Sequence, residues 1–261
     1  MKNLFELRGK INDKLNLGIQ LGGLFLIILI WHLLCVTSTV LPSTLPSPIS
    51  VISSFSELHT KDFLIFNTLY SIKLNFMGYA EAILISIPLG FLIGLFPFFK
   101  SLFNKYVDAI RFIPLTAVTG LFIAWFGIET NMKVQFLAFG IFVYLLPVVV
   151  QRIQEVEEIY CQTAFTLGAS NWQIIKSVFF PSVMSKVFDD IRVLVAISWT
   201  YIIVAEMVNK SGGIGAMIFT AARQSRLDKV FAILLVIVII GFVQDKVFSL
   251  LDKKLFPYKY A

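Results

Sequence analysis

Few residues in this chain are of types that do chemistry, and their spacing assigns most of them other roles. Cys35 and Cys161 lie far apart in segments of different character, so neither a disulfide nor a metal site is expected. No nucleophile, base and orienting group fall together, so the reading includes no catalytic residue, no metal ligand and no cofactor. The phosphate-cradling pattern Gly-x-x-x-x-Gly-Lys-Ser/Thr is absent, and Lys210-Ser211 lacks the preceding glycines. What remains is a set of polar groups inside apolar runs. Glu81 and Glu206 belong to a class that, within a membrane, faces a cavity or a partner. Thr116 and Thr119 share a helical face, whereas Ser198 and Thr200 point apart. With Glu206, these four hydroxyls are the candidates for contact with a passing solute. Each has a duller alternative, since hydroxyls within helices also bond their own backbone. His32 is read as a partnered or interfacial polar residue.

The elements that must position these groups are strongly apolar. Of 261 residues, 57% are hydrophobic and 15% charged, with 26 phenylalanines. A soluble domain carries nearer ~25% charged residues, and the mean hydropathy here is +0.83. A helix needs ~20 mostly apolar residues to cross the hydrocarbon. Six segments approach that length: Ile19–Val36, Gly78–Phe98, Phe112–Phe126, Val134–Val150, Val193–Val208 and Val230–Leu250. The expected fold is therefore all-α and polytopic. Residues 1–18 form an N-terminal segment, 19–250 one transmembrane domain and 251–261 a tail. The first run is read as a retained helix, because no small-residue cleavage site follows Cys35.

Charge sets the expected orientation. The net charge is +6, but Lys and Arg sit at the edges of apolar runs and form no stripe for nucleic acid. With the N-terminus in the cytoplasm, 15 of the 22 basic residues fall inside, including Lys100, Arg152 and Lys253, and seven fall outside: Lys61, Lys73, Lys133, Lys210, Arg223, Arg226 and Lys229. That asymmetry favours both termini inside. Two connections exceed a turn. Residues 37–75 read as a Pro/Ser-rich lead-in followed by amphipathic helix anchored by Phe55, Leu58, Phe63 and Phe66. Residues 151–192 are polar, helix-rich and cytoplasmic, and a loop of that length in so compact a protein points to function.

Within this loop, residues 162–181 read as a short helix, a sharp turn at Gly168, a second short helix capped by Ser170, and a proline stop. Trp172 and Ile175 would share one side of the second helix, an apolar knob suited to a partner's groove. An interfacial helix lying on the membrane is the competing reading.

This stretch resembles the EAA loop of binding-protein-dependent ABC importer permeases, whose core is Glu-Ala-Ala, then Gly, then Pro after a fixed gap. Gln162 stands in place of the usual Glu and Thr163 in place of the first Ala, which keeps hydrogen bonding and removes a charge. Further matches are similar to the nitrate/sulfonate/taurine/bicarbonate-type branch. They are Leu45-Pro46-Ser47-Pro48, Arg111-Phe-Ile-Pro114 with Trp125-Phe126-Gly127, and Ala205-Glu206-Met207 with Gly212-Gly213-Ile214-Gly215. The branch tends to have further prolines where this chain has Leu115 and Gly120, so a less kinked third span is expected.

The resemblance implies that Gln162, Ala164, Leu167, Gly168, Ala169, Ser170, Trp172 and Pro181 dock into an ATP-binding cassette ATPase. It also implies a second permease copy forming a homodimer, an external solute-binding protein (periplasmic or a lipoprotein), surrounding lipid and a location in the bacterial inner membrane. The expected cargo is a small anion, with a neutral pyrimidine vitamin precursor as the rival. A secondary transporter is the less favoured class, since neither inverted repeats nor broken helices are visible in the sequence.

Overall fold

Helices are the regular elements throughout the described residues of the computed structural model, which are 9, 11–37, 41, 44–208 and 211–260. Chains in lipid must satisfy their backbone internally, and helices do so. Among the described residues, five helices are long and apolar enough to cross a membrane, or six if one bent pair counts as a single span. Of the basic residues that set the expected orientation, Lys2, Arg8 and Lys10, counted inside, and Lys210, counted outside, lie beyond the described residues.

The chain divides into two compact units. The first comprises residues 1–62 and 221–232 and holds α1 (Asp13–Val36) and α2 (Pro48–Thr60). Asn12 caps α1 by accepting from the Lys14 N–H, and α1 has no buried residue, as suits a helix apolar all round. Trp31 packs on Phe231 with ring centroids 5.8 Å apart and donates its indole N–H to Pro46 O at 3.0 Å. Ser47 caps α2, with Pro48 in the first turn. Of the four proposed apolar anchors only Leu58 is buried, while Phe63 and Phe66 are exposed. The charged end of this unit is a network. Glu57 accepts from Arg226 at 2.9 Å and pairs with Lys229 at 3.2 Å, and Lys229 reaches Asp62 at 2.6 Å. Arg226 and Lys229 hold the Glu57 carboxyl down to about 2.

The second unit, residues 63–220 and 233–261, is built on a parallel pair, α3 (Leu64–Leu95) and α6 (Thr130–Gln154). Gly78, Gly90 and Gly94 face Leu137, Val149 and Ile153 at one constant register. A Cβ at Gly94 would stand 2.8 Å from Ile153 Cδ1, so the glycines let the backbones approach. The helix α3 begins at Leu64 rather than Gly78, so the connection before it is shorter than the sequence suggested.

Between them lie α4 (Pro97–Ile110) and α5 (Leu115–Phe126), bent by 105° at the intervening residues. Pro114 drives the residue before it out of the helical region and so breaks the chain there. The expected span 112–126 is thus the second arm of a broken helix, and the kink survives without the further prolines. Phe122, Leu115, Met132, Phe136 and Ala205 form the core beside it.

Beyond α6 come α7 (Glu158–Thr166), α8 (Asn171–Ile174), a π-helical turn (Ile175–Phe179) and α9 (Phe180–Val208). From Asn171 to Val208 the chain is one 38-residue helix. Pro181 therefore does not stop it. The wider π turn just upstream absorbs the ring's clash with the preceding turn and its missing N–H. The fifth span extends far below Val193, and residues 151–192 are mostly helix continuing into spans. Arg152 ties α6 to α9 by a bidentate pair with Asp190 at 2.7 and 2.8 Å. The remaining helices are α10 (Ile214–Arg223) and α11 (Leu227–Leu255).

Candidate functional site

The segment 162–181 folds into a turn closed by two consecutive caps. At the end of α7 the Gly168 N–H bonds Phe165 O at 2.9 Å and the Ala169 N–H bonds Ala164 O at 3.0 Å. These are the paired bonds of a Schellman cap, and Gly168 takes the left-handed conformation it requires, φ +82°. No atom lies within 4 Å of a Cβ built on Gly168, so the backbone angle demands glycine there, not space. Ser170 then opens the next helix through a capping box. Its Oγ accepts from the Gln173 N–H at 3.4 Å, and its own N–H donates to Gln173 Oε1 at 2.8 Å. The signal Ser-x-x-Gln was present in the sequence, which had suggested only the Ser170 cap.

The turn presents large apolar side chains to the surroundings. Leu167 is 83% and Trp172 71% exposed, and Phe165, Ile159 and Tyr160 are exposed as well. Ile174 is buried and Ile175 half-buried, so the outward knob is Leu167 with Trp172 rather than Trp172 with Ile175. Ala164 and Ala169 are half-buried inside the turn. Gln162 donates to Glu158 Oε1 at 3.2 Å and stays on its own helix. Beside the knob an open groove of about 340 Å³ is lined by Leu95, Phe96, Cys161, Phe165, Ile174 and Phe179. Burial, and then the Glu158 carboxylate, push the Cys161 thiol up, so it stays protonated and inert at neutral pH. Arg152 holds the neighbouring Glu155 carboxyl below its ordinary value. Pro181 accepts at its carbonyl from the Tyr258 hydroxyl at 2.7 Å, which ties the C-terminal turn to this segment.

The five solute-contact candidates differ in exposure and in partners. Thr116 and Thr119 lie one turn apart on α5, Thr116 exposed and Thr119 buried. Thr119 donates to its own backbone at Thr116 O, 3.0 Å. Ser198 is fully buried and Thr200 exposed; Ser198 donates to Val195 O at 2.7 Å and lies 3.1 Å from Asn75 Oδ1. Glu206 is fully buried. Its Oε1 accepts from Ser71 Oγ at 2.6 Å and its Oε2 from the Gly215 N–H at 2.8 Å.

Around Glu206 the glycine run is clasped on all sides. Ser71 Oγ accepts from the Ile214 N–H at 2.9 Å, and Asn67 Oδ1 from the Gly213 N–H at 2.8 Å. Lys133 donates to Ser211 Oγ and Gly212 O at 3.2 and 3.3 Å, with its ammonium 5.2 Å from the Tyr70 ring centroid. Counted as an outside charge in the sequence, Lys133 is in fact wholly buried. Asn67, Ser71 and Lys133 carried no sequence signal, since they meet the glycines only in three dimensions. Glu81 accepts from Gln135 Nε2 at 2.7 Å.

Membrane-length helices and a parallel glycine-packed pair define a polytopic helical membrane protein. The chain belongs to the binding-protein-dependent transport system inner membrane components, whose family pattern matches residues 86–257. It is 30% identical over 237 residues to the putative aliphatic sulfonates transport permease protein SsuC of Bacillus subtilis, covering 89% of this chain and 84% of that one. A putative ABC transporter permease of Methanocaldococcus jannaschii is also 30% identical, covering 96% and 95%. The taurine transport system permease protein TauC of Escherichia coli is 24% identical, covering 92% and 89%. In fold, the chain resembles the inward-facing MetNI methionine ABC transporter at TM-score 0.66 and 14% identity, covering 73% of this chain and 95% of that one. The all-α polytopic fold and the importer-permease family read from residues 162–181 are thus as expected. The chain is an inner-membrane permease of an ABC importer.

Proposed function

We propose that two copies of this chain form the membrane pathway of an ATP-driven importer for small oxyanions such as sulfonates, taurine, nitrate or bicarbonate. The observation that carries the coupling role is the capped turn at 167–170, which holds Leu167 and Trp172 clear of the protein, where a partner's groove can receive them. Its occupant is the ATPase subunit, which supplies the hydrolysis, and a solute-binding protein delivers cargo at the opposite face. The relatives named for sulfonates and taurine, and a 25% identical nitrate import permease of Synechocystis, support the anion reading. Tight selection belongs to the binding protein, while the permease offers weak hydroxyl contacts that favour release.

Both termini lie in the cytoplasm. Single cysteines at Ser56 and Asn131 are expected to react with an impermeant maleimide from outside, and one at Asn171 only after the membrane is opened. Labelling of Asn171 in sealed cells would overturn this orientation.

Competition uptake by the reconstituted importer tests the cargo. Excess taurine, alkanesulfonate or nitrate is expected to suppress accumulation of the labelled anion, and a neutral pyrimidine is expected to leave it unchanged. Suppression by the pyrimidine alone would assign a neutral heterocycle instead.

A further inference from the structure

A short C-terminal turn, Pro257–Lys259, folds back from the end of α11 onto the first turns of α9. Tyr258 donates its hydroxyl to Pro181 O at 2.7 Å. Lys259 donates to the two oxygens of Asp189 at 2.7 and 2.6 Å and reaches Asp252 of α11 at 3.1 Å. The Asp252 carboxylate, 1% exposed, also accepts from the Tyr260 hydroxyl, so the same turn neutralises a buried charge at the foot of α11. Phe188 of α9 packs on Phe256 and on Phe248 of α11, with ring centroids 5.6 and 5.5 Å apart. Arg192 adds a bidentate pair with Asp245 at 2.5 and 2.7 Å. Beyond these ties an open groove of about 320 Å³ runs between the two helices, lined by Val195, Trp199, Val238 and Phe242, and Trp199 bridges it by donating to Gln244 Oε1 at 2.8 Å.

The stretch that this turn grips is the weak part of its helix. From Asn171, just past the turn at 167–170, the helix runs on to Val208. A displacement of Leu167 and Trp172 therefore travels along it. On the way lie the π turn at 175–179 and Pro181, which has no N–H to give. Helices bend at such places, and a helix that bends absorbs a push instead of passing it on. Tyr258 holds Pro181 itself, and Lys259 holds Asp189, eight residues or about two turns further along. The contact is a splint laid along α9 immediately behind the bend, and it joins that stretch to α11.

We propose that Tyr258, Lys259 and Asp189 are positioning residues for transport, which stiffen α9 behind the π turn and tie it to α11, so that movement of the turn at 167–170 reaches both helices. The proposal rests on the coupling reading of that turn and deepens it by naming what carries the motion onward. The splint lies apart from Leu167 and Trp172. Its loss therefore separates ATP hydrolysis from transport and leaves docking intact.

The double variant Tyr258→Phe/Asp189→Asn cuts the polar links to α9 and spares the bonds from Lys259 and Tyr260 to Asp252. Tyr258 is exposed and the Asp189 side chain is 47% exposed, and surface links of this kind contribute little to folding. The assay uses proteoliposomes holding the complete importer with its binding protein. The solute is labelled taurine, ethanesulfonate, nitrate or a neutral pyrimidine, whichever the wild type accumulates. ATP hydrolysed per molecule of solute imported is expected to rise about fivefold, the lower end of the usual coupling between sites. Melting temperature and ATPase co-purification are expected to stay at the wild-type level. Asp189→Glu, which keeps the carboxylate, is expected to keep the wild-type ratio. An unchanged ratio in the double variant, whether uptake and hydrolysis persist or fall together, would leave the turn a purely structural role and overturn the splint. Gly168→Asp, assayed alongside, tests the reading beneath it. If that variant imports and co-purifies normally, the turn at 167–170 is not the coupling element. If it is inactive while the double variant keeps its ratio, the splint alone fails.

Discussion

An importer carrying Gly168→Asp is expected to take up no solute although its permease still inserts and folds. Gly168 sits at φ +82° with open space around its Cα, so a new side chain meets no neighbour. The local cost is the left-handed conformation alone, about 1–2 kcal/mol, a modest fraction of the 5–15 kcal/mol that typically holds a domain together. The damage falls on docking. Gly168 follows Leu167 and precedes Trp172 by four residues, and both side chains stand clear of the protein. A carboxylate placed between them would enter the same groove and lose its hydration without a partner. Trp172→Ala removes the kind of aromatic anchor that dominates interfaces, worth about 2 kcal/mol or more, or roughly thirtyfold in affinity. Co-purification with the ATPase and ATP-driven uptake are the measurements, and Gly168→Ala, which keeps the backbone strain without the charge, is the comparator. Normal uptake and normal co-purification by Gly168→Asp would remove the docking role from this turn.

How much of this was legible in the sequence depended on the range of the interaction involved. The turn at Gly168 was visible because its determinants are local: a glycine for φ, a serine cap and apolar neighbours all fall within seven residues. Apolar runs announced the spans for the same reason. Where the expectations failed, a longer-range or competing effect decided. Pro181 reads as a helix stop by propensity, but the π turn at 175–179 lets one helix run through it to Val208. The break before Leu115 needed only Pro114, so the missing prolines at 115 and 120 did not straighten it. Thr116 and Thr119 are three residues apart on a helix, yet one is exposed and the other buried, because burial is set by Leu115 and Phe122 packing against α6 and α9. Lys133 was counted among solvated charges, since nothing in its neighbours in sequence marks the carbonyl and hydroxyl that receive it.

The clasp around Glu206 gives the second large effect, and it is one that only a pair of substitutions can isolate. Gly213 has φ +101°, and a Cβ there would overlap the Glu206 carboxylate. Gly213→Ala thus carries a backbone penalty of about 1–3 kcal/mol and an overpacking penalty of similar size. Glu206→Ala carries a different loss. It strands the Ser71 hydroxyl and the Gly215 N–H, each a buried donor costing about 1–3 kcal/mol when unpaired. Each single variant is expected to lower the melting temperature of the detergent-solubilised permease sharply. The double variant is expected to lose clearly less than the sum, because removing the carboxylate opens the space that the new methyl group needs. What then remains of the Gly213→Ala cost is the backbone term. Residues in contact show coupling energies of about 0.5–3 kcal/mol in such cycles, and the overlap here places the value towards the upper end. The loop from Ser211 to Gly215 would still be held by Asn67 and Lys133, so the double variant is expected to fold. Strict additivity of the two losses would mean that the carboxylate does not rest against Gly213, and the clasp would have to be redrawn with Ser71, Asn67 and Lys133 holding the glycine run.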